Sequence, residues 1–392
     1  MTAANEIEKL PEGWRRVRLG DVLDYEQPQR YIVKSEKYDD RHGTPVLTPG
    51  KAFILGFTDE TTGIFEEVPV IIFDDFTTES RYVIFPFKVK SSALKVLKLK
   101  DRNSNLYFLY NIMQILNFKP GSEHKRFWIS EYSKINILIP PLPEQRKIAE
   151  ILETVDNAIE KTDAIIEKYK RIKQGLMQDL LTRGIDENGQ IRSEETHRFK
   201  DSPLGRIPEE WKVVELGEVF KLKSGMTRPC DTSESGNYPI YGGNGILGYT
   251  NEKNFDIETI IIGRVGEYCG VVYIASGGWV TDNALYVVVK KRDYNNLFLC
   301  YLLNYVNLNQ YSAETGQPLM TQSIVYKIQI PLPPLPEQHR IASILSQIDE
   351  AIEKEQKYKE KLERIKRGLM EDLLTGKVRV NHLIEEGERN EN

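Results

Sequence analysis

One stretch of this chain is written twice. LPEQRKIAEILETVDNAIEKTDAIIEKYKRIKQGLMQDLLT, from Leu142 to Thr182, returns 193 residues later as LPEQHRIASILSQIDEAIEKEQKYKEKLERIKRGLMEDLLT, with 25 of 41 positions identical and no gap. A weaker repeat opens each half: LPEGWRRVRLGDVL begins at Leu10 and IPEEWKVVELGEVF at Ile207. The ends of the two halves match and their middles differ. Such a chain is one unit duplicated, and repeats of this kind decide the fold before any local detail does.

The repeated segment predicts a long helix. Apolar residues recur at steps of three and four, which marks a buried seam. In the first copy the seam residues are Ile148, Ile151, Val155, Ile165, Tyr169, Ile172 and Leu176. In the second they are Ile341, Ile344, Ile348, Tyr358, Leu362, Ile365 and Leu369. Pro143 and Pro336 suit a first helical turn, and Glu144 and Glu337 suit the positive end of the helix dipole. Gly175 and Gly368 are expected to bend the helix or end its regular part. About 40 residues at about 1.5 Å each give a rod of roughly 60 Å. A rod with an apolar seam must bury it, and two in one chain can bury each other. The expectation is a pair of long antiparallel coiled-coil helices about a pseudo-twofold axis.

Between the repeats lie two heads of mixed strands and helices, so the fold class is α+β. The boundaries read as head one at 1–141, a spacer helix at 142–182, a linker at 183–206, head two at 207–334, a second spacer helix at 335–376 and a polar tail at 377–392. Proline-rich elbows, Pro140-Pro141-Leu142-Pro143 and Pro331 to Pro336, lead into each rod. A chain of 392 residues is long enough for several cores. No apolar run reaches membrane-spanning length, and the first residues do not read as a secretory signal. The three cysteines, Cys230, Cys269 and Cys300, are too few and too uneven for a disulfide framework. The expectation is a soluble cytoplasmic protein.

Catalytic signatures are missing from the heads. There is no P-loop, no GxSxG elbow, no metal-spaced His/Cys set and no dinucleotide fingerprint. Tyr241-Gly242-Gly243-Asn244-Gly245 reads as a tight turn between strands. Asp74, Asp75 and Glu79 read as turn acids more readily than metal ligands. No cofactor or metal is expected in this chain, and no catalytic residue. The formal net charge of −5 argues against a grip on nucleic acid by bulk charge. Head one does carry basic clusters at Lys88, Lys90, Lys95, Lys98 and Lys100, and at Lys125 and Arg126.

The paired L-P-E-Q helix starts, the R-I-K-x-G-L-M-x-D-L-L-T helix ends and the W-x-x-V-x-L-G head openings resemble the specificity subunit of type I restriction–modification systems. Head two adds Y-G-G-N-G-I at Tyr241 to Ile246 and T-G-Q-P at Thr315 to Pro318, both typical of that family's target-recognition domains. Head one has no Y-G-G-N-G run and carries D-D-F-T-T-x-S-R at Asp74 to Arg81 in its place, which suggests a different recognition subtype. The resemblance implies that each head reads half of a split, asymmetric DNA target while the paired helices set the gap. It implies two methyltransferase subunits docked on the rods, with two restriction/translocase subunits beyond them. S-adenosylmethionine, ATP and Mg would belong to those partners, and the chain itself would be non-catalytic.

Base reading needs side chains at groove edges, with Arg matched to guanine and Asn or Gln to adenine. The candidate DNA contacts are Thr77, Thr78, Arg81, Lys88, Lys90, Lys125 and Arg126 in head one. In head two they are Lys223, Arg228, Tyr241, Asn244, Arg264, Asn283, Gln317 and Thr321. Isolated, the chain is expected to bind DNA weakly and salt-sensitively. Two readings compete: a non-catalytic coiled-coil adaptor with two protein-binding heads, and a solitary DNA-modifying enzyme, which the missing motifs disfavour.

Overall fold

In the computed structural model of the chain, the structure describes residues 10–49, 52–118, 126–230, 232, 236–313 and 316–384. The chain divides into two compact units: Met1–Asp163 with Tyr358–Asn392, and Ala164–Lys357. Four helices organise them: α1 (Leu106–Ile115), α2 (Leu142–Thr182), α3 (Asn296–Val306) and α4 (Leu335–Leu374). Each unit holds a head, the start of one long helix and the end of the other. No described helix is long and apolar enough to cross a membrane.

The L-P-E-Q motif repeats because both of its polar residues are used in each unit, the glutamine in the same way and the glutamate each time on an arginine. Gln145 accepts from the backbone N–H of Asn105 and donates to the Pro140 carbonyl; Gln338 does the same for Asn295 and Pro333. Asn105 and Asn295 in turn cap the helices that follow them, accepting from Phe108 N and Phe298 N. One amide thus fixes an elbow and the cap of a head helix. Glu144 takes a bidentate bond from Arg379 at 2.7 and 2.8 Å. Glu337 accepts from Arg192, from Trp211 Nε1 at 3.1 Å and from Ile185 N at 3.0 Å. Trp14, the counterpart of Trp211 in the repeated head opening, lies under the Arg379 guanidinium.

The segment 377–392, expected as a polar tail, is therefore in part structural. Val380 is buried, and Leu383 packs on the core that holds Leu19, Trp128, Ile148, Leu152 and Leu373. In the second unit the linker does the same work through Arg192 and Ile185, beside Trp211, Leu181 and Ile341.

Along the long helices, buried positions run Ile148, Leu152, Thr162, Ile166 and Leu180 in α2, and Ile341, Leu345, Leu362, Leu373 and Leu374 in α4. Ile165, Ile172, Tyr358 and Ile365, expected in the seam, are instead between 39% and 49% exposed. At these four positions the buried row is shifted by one residue, while Ile148, Ile341 and Leu362 keep it. Its central positions are taken by Lys173, Lys359 and Lys366, whose stems bury while their ammonium groups reach acids. Lys366 meets Asp156 at 2.6 Å and Lys359 meets Asp163 at 2.7 Å in the first unit; Lys173 meets Asp349 in the second. Within the first unit, the step from Asp156 to Asp163 along α2 is matched by a step back from Lys366 to Lys359 along α4. Apolar counting misplaces Ile165, Ile172, Tyr358 and Ile365 because it treats lysine as a surface residue. Gly175 and Gly368 do not break the helices, and a Cβ at either would touch nothing within 4 Å.

The heads share one strand order. In head two a six-stranded sheet runs β8-β13-β11-β12-β9-β10, with β8 Phe220–Ser224, β9 Tyr238–Gly242, β10 Gly245–Thr250, β11 Phe255–Gly263, β12 Val272–Val280 and β13 Ala284–Lys290. Head one uses β1 Leu23–Glu26, β2 Thr44–Leu47, β3 Ile54–Thr58, β4 Val70–Asp74, β5 Ser80–Val83, β6 Lys88–Val89 and β7 Leu94–Leu99. They form β1-β7-β4-β5 and β3-β2-β6. The break between β5 and β6 contains Pro86, which cannot donate to a ladder, so one long strand in head two is two short ones in head one. A short ladder, Arg15–Arg18 with Asn136–Ile139 or Lys212–Glu215 with Gln329–Leu332, closes each head at its base.

Replacing Glu337 with Ala leaves the buried Arg192 with Glu210 alone, at 3.0 Å, and strips the acceptor from Trp211 Nε1 and Ile185 N. The expected loss is about 3–5 kcal/mol in urea unfolding. Lys253→Ala, which removes an exposed pair with Asp256, should cost less than about 1 kcal/mol. Equal losses would mean that the buried Glu337 pair is not special.

Candidate nucleic-acid interface

Strand ends in head two converge on one rim. Arg264 follows β11; its N–H donates to the Asn283 carbonyl at 2.9 Å and its own carbonyl accepts from Met320 N at 2.8 Å. Gly266 N donates to Pro318 O, and the Gln317 amide lies over Gly266. Thr281 donates to the Tyr241 carbonyl through both its N–H and its hydroxyl. The chain comes so close here that a Cβ on Gly263 would stand 2.0 Å from Tyr268 O and 2.6 Å from Gly243 O. Glycine at this point is a condition for bringing the three loops together.

Of the eight candidates in head two, five share this rim and its hairpin. Arg264, Asn283 and Gln317 come from different loops. Asn244 is exposed at the β9–β10 turn, and Arg228 is exposed with one guanidinium nitrogen on Leu247 O of the same hairpin. Tyr241 is a correction. Its ring is 8% exposed and packs with Phe255, Ile261, Val280 and Tyr286, so it supports the hairpin and presents nothing to a groove. Thr321 is spent as the cap of the short helix Gln322–Tyr326, accepting from Ile324 N. Lys223 is exposed on the outer strand β8, opposite Tyr286 of β13.

Head one builds the same rim from different residues. Asp75 occupies the place of Arg264: its N–H donates to Ala93 O and its carbonyl accepts from Phe127 N. Lys90 N donates to Leu47 O, as Thr281 N does to Tyr241 O. The hairpin β2–β3 matches β9–β10 in register, with the same bulge, Val46/Leu47 against Ile240/Tyr241. This corrects the reading that head one replaces Y-G-G-N-G with the Asp74 run. The counterpart of Tyr241 to Ile246 is Leu47 to Ile54, two residues longer. Asp74 to Arg81 stands where Gly263 to Tyr273 stands in head two. One short match, Ile54-Leu55-Gly56 with Ile246-Leu247-Gly248, survives in the sequence, and all four apolar side chains are at least 40% exposed.

Thr77 and Thr78 shape the β4–β5 turn. The Thr77 hydroxyl donates to Asp74 at 2.7 Å, and Thr78 sits at φ 65°, the left-handed region. Thr77 stays exposed at the tip. Arg126 is exposed next to Phe127 and so lies on the rim. Lys90 is shared with Glu36 and the Tyr38 ring, and these contacts raise its pKa. Arg81 lines a groove of about 690 Å³ with Tyr110, Gln114, Lys366 and Arg367, so its surroundings include the end of α4. Lys125 falls outside the described residues.

Lys88 is a correction. It is 1% exposed, and its ammonium donates to Thr62 O and Gly63 O and meets Glu60 at 3.1 Å. Its neighbours in the apparent basic cluster are also structural. Lys95 is wholly buried against Asp75, Lys98 joins Glu26 and Glu67, and Lys100 reaches Gly20 O. Spacing along the strand gives no warning of this: Lys88 and Lys90 share a face with Val89 opposite, yet Lys88 and Val89 are both buried. Among the described residues no group of three or more His, Cys, Asp or Glu is placed to hold a metal.

The family described as "Type I restriction modification DNA specificity domain" matches residues 11–170 and 208–364. The chain is 35% identical over 423 residues to the putative type I restriction enzyme MjaX specificity subunit of Methanocaldococcus jannaschii, covering 96% of both chains. It is 28% identical to the type I restriction enzyme EcoR124I/EcoR124II specificity subunit of Escherichia coli, over 89% of this chain and 90% of that one. The crystal structure of the type I restriction–modification S subunit from M. genitalium has the same fold, with a TM-score of 0.68 at 18% identity, across 95% of this chain and 98% of that one. The chain belongs to the type I restriction–modification specificity subunits, and it recognises DNA.

Arg126→Ala should reduce the slope of log affinity against log salt by about one, as loss of one phosphate-facing cation does. Lys88→Ala should leave that slope unchanged and lower the melting temperature. A drop in slope with Lys88→Ala would put that side chain on DNA after all.

Proposed function

We propose that each head reads one half of a bipartite, asymmetric DNA target, and that the long helices pair as an antiparallel coiled coil that sets the gap. The observation that carries this is the pair of rims. They are built by the same strand order and the same loop junctions, yet Arg264 in one stands where Asp75 stands in the other. Equivalent frames with unlike side chains suit two readers of unlike sequences. In this reading the domain limits are those of the repeat, and the Asp–Lys pairs along the helices fix register.

Two methyltransferase subunits dock on the rods. The apolar row Ile165 and Ile172 recurs as Tyr358 and Ile365, exposed in both copies, and a repeated surface suits two copies of one partner. Restriction/translocase subunits add to that core. The chain itself carries no catalytic group, and S-adenosylmethionine, ATP and Mg are bound by the partners. The adaptor reading, with protein-binding heads, predicts no dependence on DNA sequence.

The test is to assemble the chain with its methyltransferase and map methylated adenines after exchanging residues 207–334 for those of a relative. One half of the target should change and the other should persist. Change in both halves would sink the modular reading; methylation without sequence dependence would favour the adaptor. Ile165→Asp with Ile172→Asp should release one of two bound methyltransferase copies, read by light scattering. Retention of both would remove this row as a dock.

A further inference from the structure

We propose that Arg264 reads a guanine through its two terminal guanidinium nitrogens, and that this position makes the head-two half-site differ in kind from the head-one half-site. The inference rests on the reading of the heads as DNA readers and names the base that one of them takes.

The Arg264 side chain is held but not satisfied. Its backbone is locked by Asn283 O and Met320 N. Its Nε is buried with no hydrogen-bond partner, and Nη1 reaches only the Asp282 carbonyl, at 3.4 Å. Five N–H donors on a planar fork normally find acceptors. With Nε sealed, the fork offers its terminal edge. A guanine presents O6 and N7 as paired acceptors in the major groove, and arginine matches them with two bonds.

A phosphate would offer acceptors too, but the neighbours argue against it. Arg264 stands among Asn283, Gln317 and Asn244, whose amides suit base edges. A phosphate cradle would gather cations or a run of backbone N–H groups, and the nearby Gly266 N is already spent on Pro318 O. In head one the same position is closed. The Asp75 carboxylate accepts from Trp128 N at 2.8 Å and meets Lys95 at 3.1 Å, with both side chains at 0% exposure. Head one therefore reads its half with other residues of its rim.

The experiment uses the chain assembled with its methyltransferase, on a library randomised across the target. Wild type should require guanine at one position of the head-two half, on one strand. Arg264→Ala should relax that position alone, with discrimination falling by about 5- to 150-fold, the worth of one bidentate pair. Arg264→Lys, which keeps charge and reach but lacks the fork, should relax the same position partly and guards against misfolding of the smaller variant. A uniform loss across all positions with a shallower salt slope would mean a phosphate contact and overturn the proposal. So would an unchanged target in both Arg264 variants. A wild-type complex with no sequence preference at all would instead overturn the underlying reading.

Discussion

The carboxylate at the start of each long helix is the contact on which the rest depends. Glu337 is 3% exposed and gathers Arg192, Trp211 and Ile185; Glu144 gathers Arg379 beside Trp14. A charge taken out of water is costly unless it is paired and hydrogen-bonded. Glu337 therefore holds three separate pieces of chain in one place, a helix start, a head opening and the segment after the other long helix, while Glu144 ties a helix start to the segment after the other long helix, with Trp14 packed against the Arg379 guanidinium.

From that anchor the remaining order follows. Gln145 and Gln338, one residue on, tie each helix start to the cap of a head helix and to the proline elbow. The head helix also meets the long helix, through Tyr107 with Asp156 in one unit and Tyr301 with Asp349 in the other. Burial, and then these carboxylates, push both phenol pKa values up, so both hydroxyls remain donors. The same aspartates receive Lys366 and Lys173. Far from these contacts, at the loop rims, the heads are free to diverge.

The duplication and the helical period were legible, because identity at a fixed offset and three-four spacing are properties of the sequence itself. The helix row was legible only in part. Lysines 173, 359 and 366 took seam positions by burying their stems, and isoleucines 165, 172 and 365 were left outside. The rim was half legible. Arg264, Asn283 and Gln317 were chosen as polar residues in turns, and the fold gathers them. Tyr241, a motif residue, and Lys88, a member of a basic cluster, are buried, since residue type does not reveal which face of a strand a side chain takes. The correspondence of Asp75 with Arg264 could not be read at all. It exists only in backbone hydrogen bonds shared by two segments with no common residues.

The central claim is that two unlike rims on a duplicated frame read two half-sites at a fixed distance. The most direct measurement is a gap series: methylation by the assembled complex on targets whose half-sites are kept constant while the spacer changes one base pair at a time. One gap length should be preferred sharply, because each base pair added or removed turns one half-site about 34–36° relative to the other. Equal methylation across all gap lengths would contradict the account.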